Sequence, residues 1–61
     1  MSKILLTSAI DIKSFRSLMT KHNLTIVKEL KDKAGFNFEV QCPNDELEAI
    51  LVETNLSWEF V

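Results

Sequence analysis

The two side chains best suited to nucleophilic chemistry are Cys42 and His22, the only cysteine and the only histidine in the chain. A thiolate beside a histidine base can act as a nucleophile, and a third group normally orients the histidine. The predicted topology brings both residues to one edge of the sheet, but the sequence offers no evident orienting residue. The pattern therefore favours a buried cysteine and a helix-terminal histidine over a catalytic pair.

Charge is divided unequally along the chain. All seven basic residues lie in positions 1–33 beside three acids, whereas positions 34–61 carry six acids and no base. A wholly acidic half suits a basic protein surface better than it suits nucleic acid. The acids of the second predicted helix and its end are the expected partner-binding residues: Asp45, Glu46, Glu48 and Glu53.

Nucleic-acid binding is the alternative function, through the open face of the sheet or through basic side chains on the first helix and the strand that follows. The residues that would serve are Lys13, Arg16, Lys21 and Lys28. A single cysteine and a single histidine cannot hold a structural zinc, and no phosphate-binding loop or paired catalytic carboxylates are apparent. We expect no cofactor, no metal and no enzymatic activity.

The segment Lys33–Val40 is similar to the RNA-stacking signature of RRM domains, in which a basic residue and a glycine precede alternating aromatics. The alternation of polar and apolar residues decides which way the rings point. If Phe36 and Phe38 faced solvent, Asn37 and Glu39 would be buried under the helices, which is costly for a carboxylate. We therefore predict that both rings face the core.

The elements that would position these residues are organised around a hairpin. Thr25–Leu30 and Phe36–Gln41 are predicted strands, and the break between them contains Gly35, the only glycine. Glycine at a turn indicates a positive φ. Ile26 and Leu30 are predicted to share one face of an edge strand, with Val27 out of phase.

Two predicted helices and two short strands flank the hairpin. Lys3–Thr7 and the segment 56–60 are typical of strands. The first helix is predicted over Ile12–His22 with Asp11 as its N-cap and Asn23 as its stop, and the second over Asp45–Thr54 with Asn44 as its N-cap.

This order predicts a single α+β domain over residues 1–61, with the ferredoxin-like βαββαβ topology. The four-stranded antiparallel sheet would have strand order 4-1-3-2, with two helices on one face. The helices would be a basic one and an acidic one. Trp58 and Phe60 are expected in the core, while Leu5 and Val27 would make the open face partly apolar.

The functional expectation is a small regulatory protein that acts by protein–protein contact. Its size and composition suggest a viral or mobile-element inhibitor of a host protein, and a homodimer through an edge strand is compatible with this. The apolar runs are too short to span a membrane, no secretory signal is recognisable at Met1, and the single cysteine fits the cytoplasm.

Overall fold

A computed structural model describes all 61 residues as an α+β chain with a four-stranded antiparallel sheet and two helices, which confirms the predicted class. The strand order is β2-β3-β1-β4; counted from the opposite edge it is β4-β1-β3-β2. Neither helix has the length and apolar character needed to cross a membrane. The elements are β1 (Ser2–Leu6), α1 (Ile10–Lys21), β2 (Ile26–Asp32), β3 (Gly35–Val40), α2 (Asn44–Leu51) and β4 (Trp58–Phe60).

One hydrophobic core lies between the sheet and the two helices. Ile4 pairs with Phe38 across β1 and β3, and Leu6 pairs with Phe36, so these four side chains share the helix-facing side of the sheet. Phe38 is only 3% exposed, and its ring centroid lies 4.9 Å from that of Phe15 on α1. The prediction that the hairpin aromatics face the core is confirmed. The other core members are Met19, Val40, Cys42, Leu47 and Leu51.

The β2–β3 hairpin is tighter than its sequence predicts. Asp32 pairs with Gly35, so only Lys33 and Ala34 form the loop. The Asp32 Oδ1 accepts hydrogen bonds from the Ala34 N–H at 2.9 Å and the Gly35 N–H at 3.2 Å. The predicted positive φ at Gly35 is confirmed, with φ of +142°. The aspartate therefore extends both strands by closing the turn locally.

The expected phase of β2 is wrong, because the register shifts between Ile26 and Lys28. Ile26 pairs with Val40 on the helix side, but after the shift Leu30 pairs with Asn37 on the open side and is 57% exposed. One extra residue in a strand reverses the side to which the later side chains point. Ile26 and Leu30 therefore lie on opposite faces.

The first helix begins earlier than predicted, at Ile10, and Asp11 is not its cap. The Asp11 Oδ2 instead accepts a hydrogen bond from the Ser57 N–H at 3.1 Å, which ties the first turn of α1 to the segment before β4. At the other end Asn23 has φ of +58°, as predicted for a helix stop. The Leu24 N–H donates to the Met19 carbonyl at 2.9 Å, which satisfies an otherwise free acceptor.

The second helix is shorter than predicted and is not capped by Asn44. Asn44 is itself helical, and the N-cap is Pro43, which has no side-chain hydrogen bond to offer. The helix ends at Leu51, because the Leu51 carbonyl accepts hydrogen bonds from Thr54 instead of from a residue of a further helical turn. The Thr54 Oγ1 donates to it at 2.7 Å and the Thr54 N–H at 3.0 Å. These bonds turn the chain towards β4.

Candidate protein-binding surface

The connections between strands fix how the two helices lie. α1 joins β1 to β2, and α2 joins β3 to β4, while β1 and β2 are both antiparallel to β3. Each helix runs back against the strand that precedes it, so α1 and α2 are antiparallel to each other. Both contribute to one core, which places them on the same face of the sheet. Their outer surfaces therefore form one layer directed away from the sheet.

The four acids predicted for partner binding are all exposed. They lie on α2 and in the turn after it, and burial of Leu47 and Leu51 fixes the orientation of the helix. The two ion pairs of the structure are Arg16–Glu29 and Lys3–Glu39, so no lysine or arginine neutralises the acids of α2. An unpaired set of carboxylates thus lies on the outer surface: Asp45, Glu46, Glu48 and Glu53.

The helical repeat divides these acids between two directions. Asp45 and Ala49 lie on the side of α2 opposite the buried leucines, and Glu53, four residues after Ala49, is exposed in the turn that follows the helix. We call these three residues the acidic row. Glu46 points away from that row, towards Cys42. The acidic row is therefore the part of the set most directly presented to a partner.

An apolar side chain adjoins the acids. Val52, one turn after Glu48, is 61% exposed, which is high for a valine at the end of a helix. Apolar area beside charge is typical of a surface that a protein partner covers. Val52 and Ala49 were not among the predicted binding residues, although each lies four residues after one of them, Glu48 and Asp45 respectively.

The predicted nucleic-acid-binding residues do not come together. Arg16 forms a bidentate pair with Glu29 on β2, and its guanidinium carbon lies 5.7 Å from the Phe38 ring centroid. The pair with Glu29 raises the pKa of Arg16. Lys28 lies on the open face of the sheet, opposite Glu39 in the register. Lys13 and Lys21 are left on the outer side of α1.

The outer side of α1 repeats the spacing of the acidic row. Lys13, Ser17 and Lys21 stand at four-residue intervals opposite the buried Phe15 and Met19, and we call these three the basic row. Neither lysine has an ion-pair partner. The middle residue, Ser17, was not among the predicted binding residues because it carries no charge.

The open face of the sheet carries no aromatic ring on its two central strands. Their outward residues are Lys3 and Leu5 on β1, and Asn37 and Glu39 on β3. Lys3 and Glu39 form an ion pair at 3.6 Å. Stacking of bases needs exposed rings on these strands, and the core holds Phe38 instead. The open face is partly apolar, but through Leu30, which is 57% exposed, because Leu5 is only 9% exposed.

Trp58 and Phe60 lie on the helix side of the sheet, as expected for core residues. They pair with Leu6 and Ile4 across β1 and are half-buried against the core. Their ring centroids are 5.2 Å apart in an edge-to-face arrangement.

Cys42 is a member of the hydrophobic core. Its side chain is buried and its thiol lies 3.4 Å from the Pro43 carbonyl, while the buried Ser2 hydroxyl donates to the Cys42 carbonyl at 2.6 Å. Burial, with a smaller effect from Glu46, raises the pKa of the thiol and so lowers the thiolate fraction at neutral pH. His22 is exposed at the end of α1. No group of three potential metal-binding side chains is present.

No protein-family model, curated protein or solved structure matches this chain.

Proposed function

We propose that this chain is a small, non-enzymatic binding protein that acts by protein–protein contact, with the acidic side of α2 docking on a basic partner. The observation that carries the proposal is the set of exposed carboxylates on and after α2 that lack any ion pair. Charges of one sign on one surface attract a complementary partner over a distance of several ångströms and reject surfaces of like charge.

The apolar neighbour of these acids supports the same assignment. Rim charges mainly accelerate association and set specificity, whereas affinity comes from side chains that lose their water on binding. Val52 supplies such area beside Glu48. We infer a partner that places an apolar side chain over Val52 and basic side chains around it.

The same proposal extends to biological role and fold family. A regulatory or inhibitory role against a host protein, in the cytoplasm, fits a chain this short that carries a single buried thiol. A ferredoxin-like topology, with both crossovers right-handed, fits the antiparallel sheet with both helices on one face.

Capture of partners from a plausible host lysate tests the proposal. The intact chain is compared with a variant carrying Glu46→Lys, Glu48→Lys and Glu53→Lys, which reverses three of the unpaired charges. Loss of the captured protein from the variant supports the proposal, and equal recovery of every captured protein discards it.

A matched pair of single substitutions controls for net charge. Glu48→Lys and Glu59→Lys change the charge equally, but Glu59 lies on the open face of β4, opposite Leu5. Only Glu48→Lys should weaken capture. Circular dichroism of each variant establishes that the fold is retained.

Nucleic-acid binding through α1 is the second candidate, because Lys13 and Lys21 have no ion-pair partner. A gel-shift titration in low salt distinguishes the two candidates. A shift that is lost steeply with added salt would support nucleic acid, since each neutralised phosphate releases counterions. No shift at micromolar protein would remove this candidate.

A further inference from the structure

The acidic row and the basic row have the same spacing. Asp45–Ala49–Glu53 and Lys13–Ser17–Lys21 each place a charge four residues before and four residues after a small central residue. Within the helices, successive members of a row are about 6 Å apart along the axis, four residues at 1.5 Å each, and Glu53 continues the acidic row into the turn after α2.

The placement of the helices makes these rows self-complementary between two copies. α1 and α2 pack against one core on the same face of the sheet, and the connections between strands make them antiparallel. A two-fold axis parallel to them brings α1 of each copy over α2 of the other. The alternative two-fold axis in that plane, perpendicular to the helices, would oppose like charges. Only the first arrangement is electrostatically favourable, and it gives a closed dimer with two equal contacts.

We propose that two copies of this chain associate through their helix layers, with the basic row of each copy against the acidic row of the other. This inference rests on the proposed function, because it names a partner for the same acidic surface. The facing helices run antiparallel, so Lys13 meets Glu53 of the second copy and Lys21 meets Asp45 of the second copy.

Local features of both rows favour this pairing. Ser17 and Ala49 are small, so the helix backbones can approach closely at the middle of each contact. Asp45 stands in the first turn of α2 and Lys21 in the last turn of α1. Asp45 and Lys21 therefore each complement the dipole of their own helix. The antiparallel dipoles of the facing helices also attract each other.

Pairing of edge strands is a less favourable way for two copies to form a dimer. β2 is interrupted by its register shift and alternates charged side chains, features that discourage strand addition, and β4 has only three residues. Since exposed ion pairs are individually weak and screened by salt, the helix-layer dimer is a weak one that salt dissociates.

Sedimentation equilibrium at several concentrations in low salt tests the dimer. We expect concentration-dependent association that weakens at least tenfold when the salt is raised from about 50 mM to 500 mM, because the contacts are exposed ion pairs. Lys13→Glu with Lys21→Glu should abolish association, and so should Asp45→Lys with Glu53→Lys. The variant with all four reversals should recover association to within about threefold of the natural chain.

A charge reversal outside both rows is the control for net charge. Lys28→Glu with Lys33→Glu changes the net charge as much as Lys13→Glu with Lys21→Glu does. Because both substitutions lie away from the two rows, they should leave association unaltered. A monomer at all concentrations overturns the proposal, as does a dimer that is insensitive to the row substitutions, which would indicate an edge-strand or sheet-face interface. Failure of the fourfold variant to recover association also overturns it.

The two proposals on the acidic surface fail separately. Lys13→Glu with Lys21→Glu breaks self-association but leaves the acids of α2 free, so this monomeric variant should capture at least as much lysate partner as the natural chain. Capture without self-association discards only the dimer. Self-association without capture discards only the external partner.

Discussion

At Gly35 two independent requirements exclude a side chain. The backbone φ of +142° is one that residues with a β-carbon rarely adopt, and a β-carbon built there would lie 2.5 Å from the Leu6 carbonyl oxygen. That oxygen belongs to the backbone of the central strand β1 and cannot move aside freely. The hairpin therefore depends on glycine both for its turn and for its approach to β1.

Gly35→Ala should lower the free energy of unfolding by about 2 kcal/mol or more, since backbone strain alone costs about 1–3 kcal/mol and the steric contact adds to it. Urea denaturation followed by circular dichroism measures the change. Ala34→Gly, one residue away in the exposed loop, is the control and should cost no more than about 1 kcal/mol. Equal effects of the two substitutions would contradict the role assigned to Gly35.

Cys42 should make stability depend on pH in the alkaline range. Burial, assisted by Glu46, raises its pKa in the folded chain, so the folded state holds the thiol proton more tightly than the unfolded state does. The stabilisation is fully present below the thiol pKa of the unfolded chain, about 8.5, and is lost as the pH rises from there through the folded pKa.

Cys42→Ala should therefore remove part of the decline in unfolding free energy between about pH 8 and pH 10, a range that brackets the unfolded thiol pKa. Glu46→Gln should reduce the decline by less, because the carboxylate is the smaller cause. Urea denaturation at several pH values gives the slopes. Parallel pH profiles for the natural chain and Cys42→Ala would show that the thiol pKa is not raised.

At the scale of elements, Asp11 accepts a hydrogen bond from a residue far away in the sequence. Its carboxylate joins the first turn of α1 to Ser57, 46 positions later, just before β4. β4 has three residues and pairs only with β1. A hydrogen bond at its entrance therefore helps to hold the edge strand in place.

Asp11→Ala should destabilise the fold by about 1–2 kcal/mol, through the lost charge-assisted hydrogen bond and the lost interaction with the helix dipole. Asp45→Ala is the matched control, because Asp45 also stands in a first turn but lacks such a bond, and it should cost about 0.3–1 kcal/mol. Thermal unfolding in low salt, at concentrations where sedimentation shows only monomer, measures both, because salt would screen the helix-dipole interaction. A smaller effect for Asp11→Ala than for Asp45→Ala would be inconsistent with the contact.

The elements also show what the sequence could and could not predict. The turn glycine, the inward direction of Phe38 and the stop at Asn23 were predictable because each depends on local chemistry or on a two-residue period. The exposed position of Leu30 was not, because Val27, although out of phase in the sequence, does not by itself show that the register shifts there. The bond from Asp11 was missed because its partner, Ser57, is distant in the chain.

For the candidate protein-binding surface, the sequence predicted which residues take part but not how they are arranged. The acids of α2 could be named from their clustering in the sequence. Whether Arg16 and Lys28 belong to one basic surface depended on the fold, which pairs the first with Glu29 and places the second on the other side of the sheet. The four-residue spacing of the rows is visible in the sequence, but the structure is needed to show that Leu47 and Phe15 are buried and that the rows lie opposite them.

At the scale of the whole molecule, one core joins every element. Ile4 and Leu6 lie at its centre on β1, and the half-buried Trp58 packs against the same core from β4. The Val61 N–H donates to the Lys3 carbonyl at 3.0 Å, which extends the pairing of β4 with β1. No part of the chain has a second core that could remain folded alone.

Unfolding should therefore be a single cooperative transition, with a free energy of roughly 3–9 kcal/mol from the usual 0.05–0.15 kcal/mol per residue. Trp58 is the only tryptophan, so its fluorescence reports on β4, while far-ultraviolet circular dichroism reports mainly on the helices. The two urea transitions should coincide. In Leu51→Ala, which removes a buried side chain of α2, both should move together to lower urea. A fluorescence transition at lower urea than the circular dichroism transition would mean that β4 detaches before the helices unfold. In that case the pairing of β4 with β1 and the packing of Trp58 and Phe60 would be too weak to make β4 part of the cooperative core.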